Sequence, residues 1–546
     1  MSICPKAAKA AFLFFCIIHV AAAREAVVAK RFMVAAAHPL AVEAGYDVLK
    51  RGGSALDAAV AVQMVLGLVE PESSGIGGGA FLLHWSEKEK KLRSYDGRET
   101  APAAVRPGLF LNRENKPLNF HEAAVGGRSV GVPGVLRMLE LAHQRHGRLP
   151  WSELFGDAIK AAEEGFVLSP KLHAFLERER FLRNDSQARS IFYANDGKAR
   201  PAGARIVNPA YAETLRMVAR GGAQLFYEGD IAKDLVLAVR AHANPGELTE
   251  ADLAGYRAVE REPVCGAFRL WRVCSMGPPS SGGIAVLQIL GILERTAFAD
   301  APPHSATAVH LFSEAGRLAY ADRARYLGDP DFTAIPVSRL LSSSYLEKRA
   351  KLIGERSVRR APAGDSEAPG TSHFSIVDAH GDVVSMTTTI ESPFGSRVMV
   401  RGFLLNNQLT DFDFVPGSAN QAGPRKRPRS SMAPTLVFSS GNEVRMALGS
   451  PGGPAIINYV AKTLVAALDW RLDIQAAIEA PNFGSRNGPT QLERGTQYEA
   501  LKDDLLKKNH RLQIVPLVSG VHGIERVPGG WRGGADPRRE GIAKGD

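Results

Sequence analysis

The stretch APGTSHFSIVD, residues 368–378, places a threonine where a polar composition gives way to a strand pattern. Thr371 draws attention because a hydroxyl is a weak nucleophile at neutral pH unless a base lies beside it. Cleavage of the Gly370–Thr371 bond would free an α-amino group, with a reference pKa of about 7.7 to 8.0, next to the Thr371 hydroxyl. One residue would then supply both nucleophile and base. The alternative is a threonine that merely begins a strand, and the local pattern alone favours it.

A second chemical feature lies in ALGSPGGPAIINYVAKTLV, where Gly452 and Gly453 separate a strand pattern from a helix pattern. Backbone N–H groups at the start of a helix have no partner within the helix and can bind an anion. Two neighbouring groups of this kind would form an oxyanion hole for acyl transfer. A tight strand-to-helix turn without chemistry is the simpler interpretation of the same residues.

Several predicted elements would position these residues. Alternating apolar residues predict a β-hairpin that begins at Thr371 and turns at residues 380–382. The segments PTLVF and EVRMALG predict further strands, and PAIINYVAKTLVAAL and DIQAAIEAP predict helices. Helix patterns also dominate the part of the chain before the hairpin. This order of elements indicates a sheet sandwich covered by helices on both faces.

The segment RRAPAGDSEAPG, residues 359–370, is a compositional break just before the hairpin. It contains arginine, alanine, proline, glycine, serine and acidic residues, and no large apolar side chain. Such a segment cannot bury enough surface to order itself, and exposed segments of this kind are where chains are cut. The sequence therefore predicts a boundary that is accessible to a protease or to self-cleavage.

Residues 1–23 have the three-part layout of a secretory signal peptide. Two lysines precede an apolar stretch at residues 10–23, which ends in three alanines before Arg24. The apolar stretch is shorter than the roughly 20 residues that a membrane-spanning helix needs. We expect the mature chain to begin near Arg24, in the periplasm or outside the cell, with no membrane anchor. An uncleaved anchor is the alternative.

The charge pattern gives little sign of a nucleic-acid partner. The 546-residue chain has a formal net charge of +10, and its one dense basic run is RKRPR at residues 425–429. No aromatic residues interleave with this run, as a single-strand binding site would need. We expect a solvated loop first, part of a substrate-anion site second, and a nucleic-acid contact last.

Two cysteines, Cys265 and Cys274, lie beyond the expected signal peptide. Their segments read as two strands around a tight turn, which allows a disulfide in an oxidising compartment. Two buried thiols fit the pattern nearly as well. Neither cysteine has neighbours that indicate a catalytic role.

Eight motifs follow one another along the chain: ESSGIGGGAF, DGRETAP, MGPPSSGG, GTSHFSIVD, TTTIESPFGS, LLNNQLTDF, RPRSSMAPT and GSPGGP. Together they resemble the γ-glutamyltranspeptidase family of N-terminal-nucleophile hydrolases, from about Ala35 to the closing DPRREGIAKG. The resemblance implies an α+β fold, a four-layer αββα sandwich made as a precursor that cleaves itself. Residues 24–370 would form the large subunit and residues 371–546 the small subunit.

The resemblance also implies roles for ten residues. Thr371 would be the nucleophile, the hydroxyl of Thr389 would support it, and Gly452 and Gly453 would form the oxyanion hole. The remaining residues would bind the two charged ends of a γ-glutamyl group. The α-carboxylate would be bound by Arg98, Ser430 and Ser431, and the α-ammonium by Asp411 with Gln408 and Glu391.

The implied activity is hydrolysis or transfer of γ-glutamyl groups from small molecules such as glutathione and γ-glutamyl peptides. The acyl group would pass to Thr371 and then to water or an amine acceptor. A γ-glutamyl group ends in a zwitterion, so a guanidinium on one side and a carboxylate on the other suit it. This chemistry requires no metal ion or organic cofactor, and the sequence shows no metal-ligand spacing.

Three features depart from the family's glutathione-cleaving pattern. Glu391 stands where asparagine is usual, and Thr410 replaces the first of two adjacent acids. Only 18 residues separate Asp411 from Ser430, an interval that carries a lid loop in many family members. We therefore expect a more open site that admits bulkier or polymeric γ-glutamyl donors.

Two other functions remain open at this point. The motif TTTIESPFGS also resembles an acylase branch that removes glutaryl-type side chains from β-lactam nuclei. A glutaryl group has no α-ammonium, so Asp411 beside Glu391 would lack a cation, and we prefer a γ-glutamyl donor. The second alternative is a secreted binding protein that keeps the fold but is neither cleaved nor catalytic.

Overall fold

The computed structural model describes residues 25–358 and 370–546. The expected signal peptide and residues 359–369 of the predicted boundary lie outside the described residues. In the part of the chain that is described, no helix combines the length and apolar character needed to cross a membrane.

Strands and helices alternate in groups along the described chain. The strands are β1 (Val27–Ala29), β2 (Met33–Ala36), β3 (Gly79–Ser86), β4 (Lys91–Gly97), β5 (Phe166–Val167), β6 (Arg205–Ile206), β7 (Val259–Arg261), β8 (Val264–Phe268), β9 (Trp271–Ser275), β10 (Gly370–Val377), β11 (Val383–Glu391), β12 (Met399–Val400), β13 (Phe403–Leu404), β14 (Thr435–Phe438), β15 (Val444–Gly449), β16 (Phe483–Ser485), β17 (Thr490–Glu493), β18 (Leu512–Val515), β19 (His522–Val527), β20 (Gly530–Ala535) and β21 (Ile542–Gly545).

The α-helices cover the sheets from both sides. They are α1 (Pro39–Lys50), α2 (Ala55–Val69), α3 (Phe120–Ala124), α4 (Val135–His146), α5 (Gly156–Glu164), α6 (Pro170–Arg178), α7 (Ser186–Phe192), α8 (Pro209–Gly221), α9 (Gln224–Tyr227), α10 (Asp230–Ala241), α11 (Glu250–Gly255), α12 (Gly282–Leu293), α13 (Ala306–Tyr326), α14 (Val337–Leu340), α15 (Ser343–Ala350), α16 (Ile456–Leu468), α17 (Ile474–Glu479) and α18 (Lys502–Lys507).

Two seven-stranded sheets form the centre of the molecule. One has the order β1-β20-β19-β15-β14-β9-β8, and the other has the order β21-β2-β10-β11-β3-β4-β7. All neighbouring strands in these two sheets are antiparallel. Each sheet contains strands from before and after Gly370.

Alternation along the central strands explains the layers, because successive side chains point to opposite faces of a sheet. Phe374 and Ile376 of β10 share an apolar core with α1 and α2. Val377, which points the other way, lies between the sheets in a core that includes Phe438 of β14. Helices α12, α13 and α16 cover the other sheet. This arrangement confirms the predicted four-layer αββα sandwich.

The hairpin predicted at Thr371 is present, but it begins one residue earlier. Strand β10 starts at Gly370, and its register with β11 shifts between Gly370 and Thr371. A Cβ atom at position 370 would lie 2.3 Å from the carbonyl oxygen of Glu72. The glycine before the threonine is therefore required by the close approach of two backbones.

The strands predicted from PTLVF and EVRMALG are present as β14 and β15, and the two predicted helices are α16 and α17. Prediction was less successful at the two ends of the chain. The six strands after α17 and the two strands before α1 were not predicted. Strand β20, GWRGGA, contains three glycines and an arginine, so its alternation is weak. Pairing with β1 and β19 makes it a strand.

The two cysteines are joined. Cys265 and Cys274 lie opposite each other on β8 and β9 and form a disulfide. Strand β8 is at the edge of its sheet. The disulfide therefore ties an edge strand to its only neighbour in that sheet.

We expect removal of this disulfide to destabilise the protein without changing the fold. A double variant, Cys265→Ser with Cys274→Ser, should lose about 2 to 3 kcal/mol, because the bond restricts a short loop in the unfolded chain. Thermal unfolding should show a lower midpoint, and wild type under a reducing agent should match the variant. An unchanged midpoint in both samples would contradict a formed disulfide.

Candidate active site

One cavity brings together nine of the ten residues predicted for the site. Its lining includes Arg98, Thr371, Thr389, Glu391, Gln408, Asp411, Ser430, Ser431 and Gly453. Met432, Pro454 and Ile456 add an apolar portion. The tenth residue, Gly452, is buried beside Gly453 and is not part of the lining.

The nucleophile end of the cavity is set by the pairing of β10 with β11, which places Thr371 opposite Thr389. The Thr371 hydroxyl donates to Thr389 Oγ1 at 3.3 Å, and the Thr389 hydroxyl donates to the Gly370 carbonyl oxygen at 2.7 Å. Thr389 Oγ1 also accepts from the backbone N–H of Glu391 at 2.8 Å. One hydroxyl thus contacts both the candidate nucleophile and the carbonyl of the bond before it.

Charged residues far away in sequence hold the start of β10 in place. The Ser372 hydroxyl donates to Glu70 Oε2 at 2.6 Å, and Glu70 pairs with Lys171. Arg539 Nη1 donates to the Thr371 carbonyl oxygen at 3.3 Å. None of these three charged residues was predicted, because no local sequence signal connects them to Thr371.

The predicted oxyanion-hole turn has the backbone that glycine favours. Gly452 has φ 136° and Gly453 has φ 49°, both on the left-handed side. A Cβ atom at Gly452 would also lie 2.7 Å from the ring of Tyr459. A short 3-10 helix, Gly453–Ala455, follows and leads into α16. The strand-to-helix turn is therefore as predicted, and its role in binding an oxyanion stays a prediction.

Arg98 and Asp411 form an ion pair at the other end of the cavity. Arg98 Nη2 lies 2.5 Å from Asp411 Oδ2, and Gln408 Nε2 donates to the same oxygen at 2.8 Å. Arg98 is 1% exposed, so it is not a surface arginine. The guanidinium and the carboxylate that we expect on the two sides of a bound donor thus contact each other directly in the structure described. Opposite charges this close attract each other even though the Asp411 side chain is only half-buried.

Glu391 lies at the end of β11 beside this ion pair. Its backbone has φ 80°, an unfavourable value for a residue with a side chain, of a kind found at functional sites. Asn407 Nδ2 donates to Glu391 Oε2 at 2.5 Å. Burial and the nearby Asp411 carboxylate raise the pKa of Glu391 to about 8. At neutral pH Glu391 therefore carries a proton.

The basic run RKRPR is not a solvated loop, contrary to our first expectation. Lys426, Arg427 and Arg429 are buried. The two arginines pair with acidic residues, and Lys426 Nζ donates to the carbonyl oxygens of Ala419 and Gln421. The Arg427 partner Asp96 comes from a distant segment, so it could not be anticipated. The carbonyl oxygens of residues 428 and 429 accept hydrogen bonds from Arg98, which connects the run to the cavity.

Comparison with known proteins agrees with the fold and the motifs. The family model described as gamma-glutamyltranspeptidase matches residues 41–546. The glutathione hydrolase proenzyme of Bacillus subtilis (strain 168) is 38% identical over 547 aligned residues, which cover 95% of this chain and 92% of that protein.

Two solved structures are also similar. The cephalosporin acylase from Bacillus halodurans has a TM-score of 0.86 at 29% identity, with 96% of this chain and 97% of that chain covered. The γ-glutamyltranspeptidase of Helicobacter pylori has a TM-score of 0.56 at 33% identity, with 61% of this chain and 93% of that chain covered. The resemblance seen in the motifs is thus confirmed: the chain belongs to the γ-glutamyltranspeptidase family.

Proposed function

We propose that this protein is a γ-glutamyltransferase and glutathione hydrolase that acts through an acyl ester on Thr371. One observation carries the proposal: the hydroxyl of Thr371 shares a cavity with a side-chain set suited to a zwitterion. Thr389 lies at one end, and the Arg98–Asp411 pair lies at the other. Membership of the family supports the same reaction.

The protein would first cut its own chain. The Thr389 hydroxyl donates to the Gly370 carbonyl oxygen and would polarise that carbonyl. Attack of Thr371 Oγ on the Gly370 carbonyl carbon would form an ester and break the peptide C–N bond, while the hydroxyl proton passes to the amine. Water would then hydrolyse the ester. The products are a large subunit that ends at Gly370 and a small subunit with Thr371 at its N-terminus.

The same threonine would then act on the substrate. Its Oγ attacks the γ-amide carbonyl, and its freed amino group takes the hydroxyl proton and passes it to the leaving amine. Backbone N–H groups at Gly452 and Gly453 would stabilise the oxyanion. Water or an acceptor amine then attacks the ester and releases glutamate or a new γ-glutamyl amide. No step of this cycle calls on a metal ion or an organic cofactor.

Donor recognition would use both ends of the Arg98–Asp411 pair. The α-carboxylate would bind near Arg98, Ser430 and Ser431, and the α-ammonium near Asp411, Gln408 and Glu391. These two groups would replace the contact that Arg98 and Asp411 make with each other. The short interval between Asp411 and Ser430 supports access by bulkier γ-glutamyl donors.

A glutaryl donor is the second candidate. The cephalosporin acylase of Bacillus halodurans has a similar fold over almost its full length. The structure also weakens our electrostatic argument against a glutaryl group. Asp411 already pairs with the Arg98 cation. Glu391, whose pKa is raised, is uncharged at neutral pH and therefore needs no cation as a partner.

Export from the cytoplasm is part of the proposal. Residues 1–23 carry the signal-peptide pattern. The disulfide between Cys265 and Cys274 is typical of proteins in oxidising compartments.

Self-cleavage at Gly370–Thr371 can be tested by intact-mass measurement and N-terminal sequencing. We expect wild type to give two fragments, the second beginning at Thr371, and Thr371→Ala to give one uncut chain. Thr388→Ala is a matched control, because Thr388 is buried on the same strand as Thr389 and lies opposite Ser372 rather than Thr371. An uncut wild-type chain would rule out the mechanism and favour a binding protein.

Donor choice can be tested with two anilides that differ only in the α-amino group. Wild type should turn over γ-glutamyl-p-nitroanilide in preference to glutaryl-p-nitroanilide. Asp411→Asn should lower kcat/KM for the γ-glutamyl donor by an amount equivalent to about 1.5 to 3 kcal/mol, because a half-buried, charged partner of the ammonium is lost. It should affect the glutaryl donor less. The opposite preference in wild type would identify an acylase.

The charge of Glu391 predicts a pH-dependent effect. Because its pKa is raised to about 8, Glu391 is protonated at pH 6.5, and Glu391→Gln should then resemble wild type. At pH 9 the ionised Glu391 should attract the donor ammonium. The ratio of wild-type to variant kcat/KM should therefore rise about 3- to 10-fold across this range. The Thr371 amine is present in both proteins, so its titration cancels in the ratio of wild-type to variant kcat/KM. A ratio that does not change with pH would contradict the prediction.

A further inference from the structure

Arg323, on helix α13, reaches the wall of the cavity from outside the predicted site. Its Nε donates to Ser281 Oγ at 2.8 Å, and its Nη2 donates to Ser431 Oγ at 2.9 Å. Ser431 is part of the cavity lining. The guanidinium is therefore one hydroxyl away from the place where a donor would bind.

Arg323 differs from the other arginines near the cavity because it has no acidic partner. Arg98 pairs with Asp411, Arg427 with Asp331 and Arg429 with Asp413. Among the described residues, no carboxylate oxygen lies within 4.0 Å of the Arg323 guanidinium. Burial and the neighbouring Arg429 lower the pKa of Arg323 to about 9. Asp411 and Asp413 lie near enough to favour the charged guanidinium, but neither is within contact distance of it.

The hydrogen bonds around Arg323 also orient Ser431. Because Ser431 Oγ accepts from Arg323, its own proton is free to be donated elsewhere. Ser281 Oγ accepts from Arg323 and donates to the carbonyl oxygen of Ser430, and Ser281 N–H donates to the same carbonyl at 2.8 Å. Arg323 thus fixes both the backbone and the hydroxyl of the serine pair.

Arg98 by itself does not leave a net positive charge at this end of the cavity. Its guanidinium lies 2.5 Å from Asp411 Oδ2. The carbonyl oxygens of residues 428 and 429 use further N–H groups of Arg98. A carboxylate that contacts Arg98 must therefore take this guanidinium from Asp411, whereas Arg323 has no acidic partner to displace.

We propose that Arg323 is a second counter-charge for the α-carboxylate of the donor, in addition to Arg98, and acts through the Ser431 hydroxyl. The inference rests on the proposed γ-glutamyl function and deepens it. Arg323 is a positioning residue here, because the hydroxyl of Ser431, and not the guanidinium, touches the substrate. It makes the free α-carboxylate of the donor a condition for tight binding.

The test compares two donors, γ-glutamyl-p-nitroanilide and its analogue in which the α-carboxylate is a carboxamide. For Arg323→Gln we expect kcat/KM for the carboxylate donor to fall about 30- to 100-fold, chiefly through KM, and for the carboxamide donor less than about 3-fold. Arg323→Lys should lie between wild type and Arg323→Gln, because an ammonium keeps the charge but cannot bridge both serines. An equal loss for both donors would mean a structural role and would overturn the inference.

Two further comparisons serve as controls for the effect of Arg323→Gln. Arg325→Gln removes the same charge from an exposed position on the same helix and should leave both donors unaffected. In a Ser431→Ala background, Arg323→Gln should add little further loss of preference for the carboxylate, because the two residues act in series. Fully additive losses would contradict a path through Ser431.

Failure of the inference can be told apart from failure of the proposed function. Wild type that turns over neither donor would overturn both. Wild type that prefers the carboxylate donor, together with an Arg323→Gln variant that keeps this preference, would overturn only the role of Arg323. If Arg323→Gln is not cut into two subunits, Arg323→Lys decides, since it too must lose the carboxylate donor selectively.

Discussion

The antiparallel register of β10 with β11 is the constraint on which the candidate site depends. It places Thr371 opposite Thr389 and lets one hydroxyl contact both Thr371 Oγ1 and the Gly370 carbonyl oxygen. A slip of one residue would turn Thr371 to the opposite face of the sheet. The shift in register at Gly370 allows the strand to begin beside the backbone of Glu72, where no side chain fits at position 370. Glu70 and Arg539 then hold the start of the strand through contacts with Ser372 and with the Thr371 carbonyl oxygen.

The cavity is notable for how its charges are balanced. Arg98 and Asp411 neutralise each other, Glu391 is protonated at neutral pH, and Arg427 and Arg429 of the basic run have their own acids. A zwitterion adds no net charge. It can therefore enter such a site by replacing the Arg98–Asp411 contact with a contact from Arg98 to its carboxylate and one from Asp411 to its ammonium. Arg323 is the exception among these arginines, and its position behind Ser431 explains why we assign it to the carboxylate end.

Local patterns predicted the hairpin after Gly370, the strand-to-helix turn at Gly452 and Gly453, and the helices after it. These features depend on alternation and on glycine, which are visible in a short window. The motifs predicted nine residues that line one cavity. Glu70, Arg539 and Arg323 could not be predicted in the same way, because each acts on a residue at least 100 positions away. The prediction of a solvated loop for the basic run was wrong for a related reason: its partners, such as Asp96 and Asp413, become neighbours only in the folded chain.

The mixing of strands in the two sheets has a consequence for assembly order. Strand β2, from the part of the chain before Gly370, lies between β10 and β21, which come after it. In the other sheet, β1 and β9 flank strands from the second part. Two halves synthesised separately would each present unpaired strand edges, which readily pair with the wrong chain. An unbroken polypeptide avoids this hazard, so cleavage after folding is the sequence of events that this architecture favours.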